Sequence, residues 1–196
     1  METKPDVAVE IGPGTRRETV GESAIIVPVN VPVGVNRLRE RMDPSAADGV
    51  PAHITLIYPF MPPSELKDNV RRRIEEIIGA EPAFPFVLGA VRRWPEVVYL
   101  EPAPEDPFRR LTAALARAFP DYPPYEGAFE DVIPHLTVAA DAAQDYYAAA
   151  EHALPAFLPI RDVAREAWLI GHTPEQPWHT LWRLPLGEVR SGYPGA

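Results

Sequence analysis

The chain of 196 residues contains no cysteine. That excludes disulfides, zinc–thiolate sites and a thiol nucleophile. No stretch approaches the roughly 18 consecutive apolar residues of a membrane span. Residues 1–20 are polar and mixed in charge, without the apolar centre of a secretory signal, so the expectation is a cytoplasmic protein with no membrane partner. Positive charge is scarce, with 19 Lys and Arg against 28 Asp and Glu and a net charge of −9. That balance argues against a protein that grips long duplex nucleic acid by releasing counterions. The deficit is deepest from 121 to 160, where no Lys or Arg occurs. There is no G-x-S-x-G for a serine hydrolase and no H-E-x-x-H for a zinc site. Gly12-Pro13-Gly14-Thr15 lacks the preceding strand and the Gly-Lys pair of a phosphate-binding loop.

What is present starts with proline, at 25 residues. Pro28, Pro32, Pro51, Pro59, Pro82 and Pro134 sit beside apolar runs, where they suit loop entries and edge strands. The basic residues cluster as Arg71-Arg72-Arg73, Arg92-Arg93 and Arg109-Arg110, patterns that read first as solvated surface. With so little positive charge, a small phosphorylated ligand or one RNA end fits better than a duplex.

The dominant feature is a doubled pattern, His53-Ile54-Thr55-Leu56 and His135-Leu136-Thr137-Val138. With 5 His and 8 Thr in the chain, chance placement yields about 0.2 His-x-Thr matches, and roughly 0.04 with both x positions apolar. In a strand, successive side chains alternate between faces. Each copy therefore presents an imidazole and a hydroxyl on one face and anchors itself by apolar residues on the other. Two such units facing one cleft provide acid–base groups and hydroxyl donors suited to a phosphate. His152, His172 and His179 are outside the pattern. The first lies in an Ala-rich helix beside Glu151, and the other two flank a Pro-rich turn and are each followed directly by Thr, so they lack the strand geometry of the motif.

Periodicity orders the chain. A strand from Ala24 to Val33, broken by Pro28, precedes a short helix (Val35 to Arg41) and a loop (Met42 to Val50). The first motif strand (52–60) is followed by a helix from Pro62 to Ile78, with Ser64 as N-cap and Gly79 as stop. Two strands (84–91, 97–101) joined around Trp94-Pro95-Glu96 lead to a helix from Asp106 to Phe119 and a loop (122–131). The second motif strand (132–139), a helix (142–157) and a closing hairpin (162–172 with 180–186) complete it. Motif strand, helix and hairpin thus occur twice. The expected fold is α+β: a bilobal, duplicated arrangement of largely antiparallel sheets with flanking helices and a cleft between the lobes. The expected division is a flexible leader (1–20), one bilobal domain (21–187) and a tail (188–196).

On these residues the chain resembles the 2H phosphoesterases, and in particular their 2′-5′ RNA ligase-like branch. The segments PAHITLIYPF, FPFVLGAVRRWPEVVYLEP, IPHLTVAA and the closing LWRLPLG carry the resemblance. It implies metal-independent chemistry on phosphodiesters that involve a ribose 2′-oxygen, with no cofactor. The implied substrates are 2′,3′-cyclic phosphate ends of RNA, cyclic nucleotides or ADP-ribose cyclic phosphate, opened to a 2′-phosphate or joined as a 2′-5′ linkage. It makes His53 the acid and His135 the base, labels that exchange when the reaction reverses, with Thr55 and Thr137 holding the phosphate. Tyr125, Phe129 and Trp94 are candidates to stack a base, as are Tyr58 and Phe60, and Arg92 or Arg93 to meet a phosphate. The protein is expected to act as a monomer. Two other readings compete: a metal-dependent hydrolase using the His pair with Asp131, and a nucleotide- or RNA-binding module that keeps the cleft without turnover.

Overall fold

The computed structural model of the chain describes residues 21–128, 131–140 and 142–188. Eight strands and five α-helices are placed there: β1 (Glu22–Pro28), α1 (Val33–Met42), α2 (Pro44–Ala47), β2 (His53–Ile57), α3 (Asp68–Ala80), β3 (Phe84–Trp94), β4 (Val97–Ala103), α4 (Asp106–Ala118), β5 (Leu136–Ala140), α5 (Gln144–Ala153), β6 (Ile160–Ala164), β7 (Glu166–Thr173) and β8 (Gln176–Pro185). They build two four-stranded sheets of order β2-β1-β7-β8 and β5-β4-β3-β6, with antiparallel neighbours throughout. The expected α+β architecture of two similar antiparallel sheets with flanking helices is the observed one. Each motif strand, β2 and β5, lies at the edge of its sheet.

Several local expectations are corrected. The run 162–172 is two strands, not one. β6 pairs with β3 in the second sheet, whereas β7 pairs with β1 in the first. The alternation shifts phase at Arg165, with Ile160 and Ala164 buried in β6 and Ala167 and Leu169 in β7, but period-two patterning reports faces, not partners, so it does not say which sheet each strand joins. Pro63–Glu65 forms a separate 3₁₀ turn, after which Leu66 is extended. α3 begins at Asp68 with Lys67 in the N-cap place, so Ser64 caps nothing. Gly79 lies inside α3, which ends at Ala80. The loop after α1 contains α2, whose N-terminus Asp43 caps by accepting from the Ser45 N–H. The helix expected to reach Phe157 ends at Ala153 and tightens into a 3₁₀ turn, Leu154–Phe157. The strand expected to run from Ala24 to Val33 ends at Pro28, and Val33 opens α1.

The apolar faces of both sheets share one core. Ile54 and Leu56 of the first motif strand and Leu136 and Val138 of the second are all buried in it. The helices cross between sheets: α1, which follows β1, packs on β5, and α4, which follows β4, packs on β2. Gly34 lets α1 settle against the 3₁₀ turn, because a Cβ there would stand 2.3 Å from the Phe157 ring. Within α4, Phe108 is fully buried and meets Phe84 and Phe86 of β3 edge-on at 4.9 and 5.2 Å. It ties a helix that backs one sheet to a strand of the other. Phe108→Ala is expected to cost about 3–5 kcal/mol, measured by urea unfolding, and to loosen both sheets together in amide exchange.

Candidate functional site

Both motifs adopt the face alternation their spacing requires. His53 and Thr55 stand opposite Pro28 and Ile26 of β1 on the partly exposed face, while Ile54 and Leu56 are buried. His135 and Thr137 are likewise partly exposed between buried Pro134, Leu136 and Val138. The two edge strands pack against each other, so the two motifs meet in one place.

Each imidazole is tied by the same local bond. His53 Nδ1 lies 2.7 Å from the Pro51 carbonyl, and His135 Nδ1 lies 2.7 Å from the Ile133 carbonyl. A carbonyl only accepts, so Nδ1 carries the proton in both rings and Nε2 is left with its lone pair in the neutral form. His179 makes the same bond to Pro177 at 2.9 Å, so the bond alone does not mark a site. Pairing across two edge strands does.

Between the motifs lies a residue the sequence reading missed. Arg39 of α1 is 2% exposed. Its Nε donates to the Thr137 carbonyl at 3.0 Å and its Nη2 to Asp43 Oδ2 at 2.7 Å. Asp43 in turn accepts from the Ser45 hydroxyl at 2.8 Å. The signal was available: Arg39 occupies the buried stripe of its helix with Val35 and Met42, with a carboxylate four residues on. A charge on an apolar stripe is a buried charge that needs a partner.

Around the second motif, Tyr99 stands directly opposite Thr137. Trp94 lies 4.1 Å from the Tyr99 ring and meets His135 edge-on at 4.8 Å. Arg92 is across from Tyr99 on that same face, where it pairs with Glu101 at 3.0 Å. Arg93 points away and packs on α5 through Glu151, Gln144 and the Tyr147 ring. Beside the first motif, the 3₁₀ turn Pro124–Gly127 packs on β2, and the Tyr125 N–H donates to the Tyr58 carbonyl at 2.6 Å. Phe129 lies outside the described residues. Phe60 is core, packed against Phe119 and Tyr122.

The remaining candidates are elsewhere. The Tyr58 hydroxyl donates to Glu22 at 2.7 Å. Both line a cavity of about 680 Å³ with His172 and Trp178. His172 and His179 lie on β7 and β8, each next to its Thr and so on the opposite face from it, and they are away from the motif pair. His152 is on the exposed side of α5. Asp131 is paired with Arg109.

A family model described as the 2′-5′ RNA ligase superfamily matches residues 27–173. The chain belongs to the 2′-5′ RNA ligase superfamily. Among solved structures, TT0787 of Thermus thermophilus is similar at 20% identity and TM-score 0.54, covering 86% of this chain and 100% of that one. LigT of E. coli in apo form matches at 18% identity and TM-score 0.52, covering 86% and 98%. LigT complexed with NADP+ matches at 17% and 0.53, covering 87% and 99%. No curated protein sequence matches.

In this superfamily member the electrostatics of the two motifs favour neutral imidazoles. Burial pushes His53 down to about 4. The Pro51 carbonyl and Asp43 oppose that, and Arg39 and His135 add to it. Burial also lowers His135, against the bond to Ile133. No described helix is long and apolar enough to cross a membrane.

Three outcomes are expected. A histidine whose folded pKa is depressed contributes stability that is full above its unfolded value near 6.5 and is lost as pH falls through the folded value. His53→Gln should therefore flatten the loss of stability between pH 6.5 and 4. NMR titration should place the wild-type His53 midpoint near 4. Arg39→Ala leaves the Asp43 carboxylate buried and unpaired. It should cost about 3–5 kcal/mol by denaturant titration, more than an exposed pair such as Arg73–Glu76 is worth.

Proposed function

We propose that this protein opens 2′,3′-cyclic phosphates of a nucleotide or RNA end to the 2′-phosphate, by acid–base catalysis between His53 and His135. One observation carries the reading: two imidazoles on neighbouring edge strands, each with Nδ1 held by a carbonyl. That leaves two Nε2 atoms for one substrate. His135 Nε2 takes a proton from water as the water oxygen bonds to phosphorus. The P–O3′ bond breaks, and His53 Nε2 supplies the proton to the departing 3′-oxygen. The 2′-oxygen keeps the phosphate. A 5′-hydroxyl in place of water makes a 2′-5′ phosphodiester by the same step. Thr55 and Thr137 donate to the non-bridging oxygens as charge builds there.

The depressed imidazoles fit this scheme through the substrate. An anion seated between them favours the charged form of each, so the phosphate itself raises the acid toward its working range. Trp94, beside His135, is the base platform we assign, with Arg92 at the rim. LigT, similar in fold, has been crystallised with 3′-AMP, and a ligand of nucleotide size is the class assigned here.

His53→Ala and His135→Ala should each abolish opening of 2′,3′-cyclic AMP while the melting temperature holds. The wild-type product should be the 2′-phosphate, and excess chelator should leave its rate unchanged. A wild-type protein that binds the cyclic phosphate and never opens it would instead be a binding module.

A further inference from the structure

The face of the first sheet that carries His53 and Thr55 points away from the main core. Such a face of an antiparallel sheet normally bears polar residues. Here Ala24, Ile26 and Ile170 form a small buried cluster with Val50, separate from the main core, and Tyr58, Trp168 and Trp178 pack around it. Strand registers lay out a row across this face. Thr55 stands opposite Ile26, Ile26 opposite Trp168, and Trp168 opposite Arg183. Neighbouring strands are about 4.8 Å apart, which puts Trp168 roughly 10 Å across the sheet from Thr55 and Arg183 roughly 14 Å. The second sheet repeats the layout with one strand fewer: Thr137 stands opposite Tyr99, and Tyr99 opposite Arg92. Each motif threonine therefore begins a row that passes an aromatic ring and ends on an arginine.

The end of the first row is a flat, braced plate. The Arg183 guanidinium lies over the Trp168 ring, 4.6 Å from its centre. Glu166 braces both: it accepts from the Trp168 indole N–H at 2.7 Å and lies 3.6 Å from Arg183 Nη1. The Arg183 side chain is 63% exposed, so the side of the guanidinium turned from the indole is open to solvent. A guanidinium plane is weakly hydrated and stacks on flat π-systems, and unpaired RNA bases use such planes and aromatic rings as platforms. Glu166 offsets the charge of the arginine, which favours a flat neutral partner over a further phosphate.

We infer that Trp168 and Arg183 form a second nucleobase site, so that the substrate is an RNA end of at least two nucleotides, its terminal base on the second sheet and the base before it on the first. The inference rests on the proposed reaction, in which Trp94 takes the terminal base. A cyclic mononucleotide has one base and fills one plate, whereas a chain continuing from the terminal ribose fills both. Stacking tolerates any base, since every base has a π-face, so the site reads length and not sequence.

The test compares one nucleotide with two. Wild-type kcat/KM for a diadenylate ending in a 2′,3′-cyclic phosphate should exceed that for 2′,3′-cyclic AMP about 10-fold. Arg183→Ala should bring the two values together. Arg183→Lys keeps the charge and loses the plane, so it should do the same. Trp168→Leu removes the backing ring and should act like Arg183→Ala; the exposed Arg183 variants carry the test if that one fails to fold. Equal values for the two substrates in the wild type, or a full dinucleotide preference in Arg183→Ala, would overturn the site. A full preference in Arg183→Lys would make the contact one of charge and overturn stacking. All three results leave the reaction in place. If the wild type opens neither cyclic phosphate, the proposed reaction fails, and the comparison is read as calorimetric Kd for the same two compounds. A dinucleotide preference that Arg183→Ala abolishes then supports the site, and any other pattern overturns it.

Discussion

Two sheet edges lie side by side, and a buried guanidinium holds them there. An edge strand has one row of backbone groups without a strand partner, and proteins usually cover or blunt that row. Here one carbonyl of the β5 motif, that of Thr137, is satisfied by Arg39 from a helix that belongs in sequence to the first motif. The guanidinium is itself clamped by Asp43. α1 is seated through Val35 and Met42 in the common core. The spacing between motifs is therefore set by packing of α1, and any shift of that helix drags a motif strand with it. The matching crossing of α4 beneath β2 makes the arrangement reciprocal.

That same burial governs the chemistry. The protein is acidic overall, and many of its arginines are paired with carboxylates at the surface, as in Arg71–Glu75 and Arg110–Glu81. Arg39 is close enough to depress His53, but Asp43 offsets part of its charge. A site built this way keeps its imidazoles neutral until an anion arrives and brings the compensating charge with it. In the proposed reaction, selectivity for a phosphorylated ligand comes from coupling between substrate charge and proton uptake.

Legibility in the sequence follows the range of each constraint. His53, Thr55, His135 and Thr137 are readable because strand alternation is local, and a repeated local pattern is hard to produce by chance. Trp94 and Tyr125 are legible as aromatics near the motifs, but not as a neighbour of His135 and part of a turn packed on β2 respectively. Arg39 leaves a trace, a charge on an apolar helix face, that is less conspicuous than the arginine clusters. The split at Arg165 leaves only a phase shift between Ala164 and Ala167, which does not say that the two strands join different sheets. The turn before α3 reads as a helix start because Ser64 and the prolines resemble a cap, whereas extended Leu66 separates that turn from the helix.

The sequence by itself determined the chemical groups, the faces they occupy and the α+β class, because these depend on side-chain identity and on periodicities of two and about four residues. Tertiary structure alone decided that the two motif strands would both be edges, that they would meet, and that Arg39 and Tyr125 would reach them. Those outcomes depend on which strands pair and how helices cross between sheets, energies summed over the whole shared core, and no short stretch of sequence contains them.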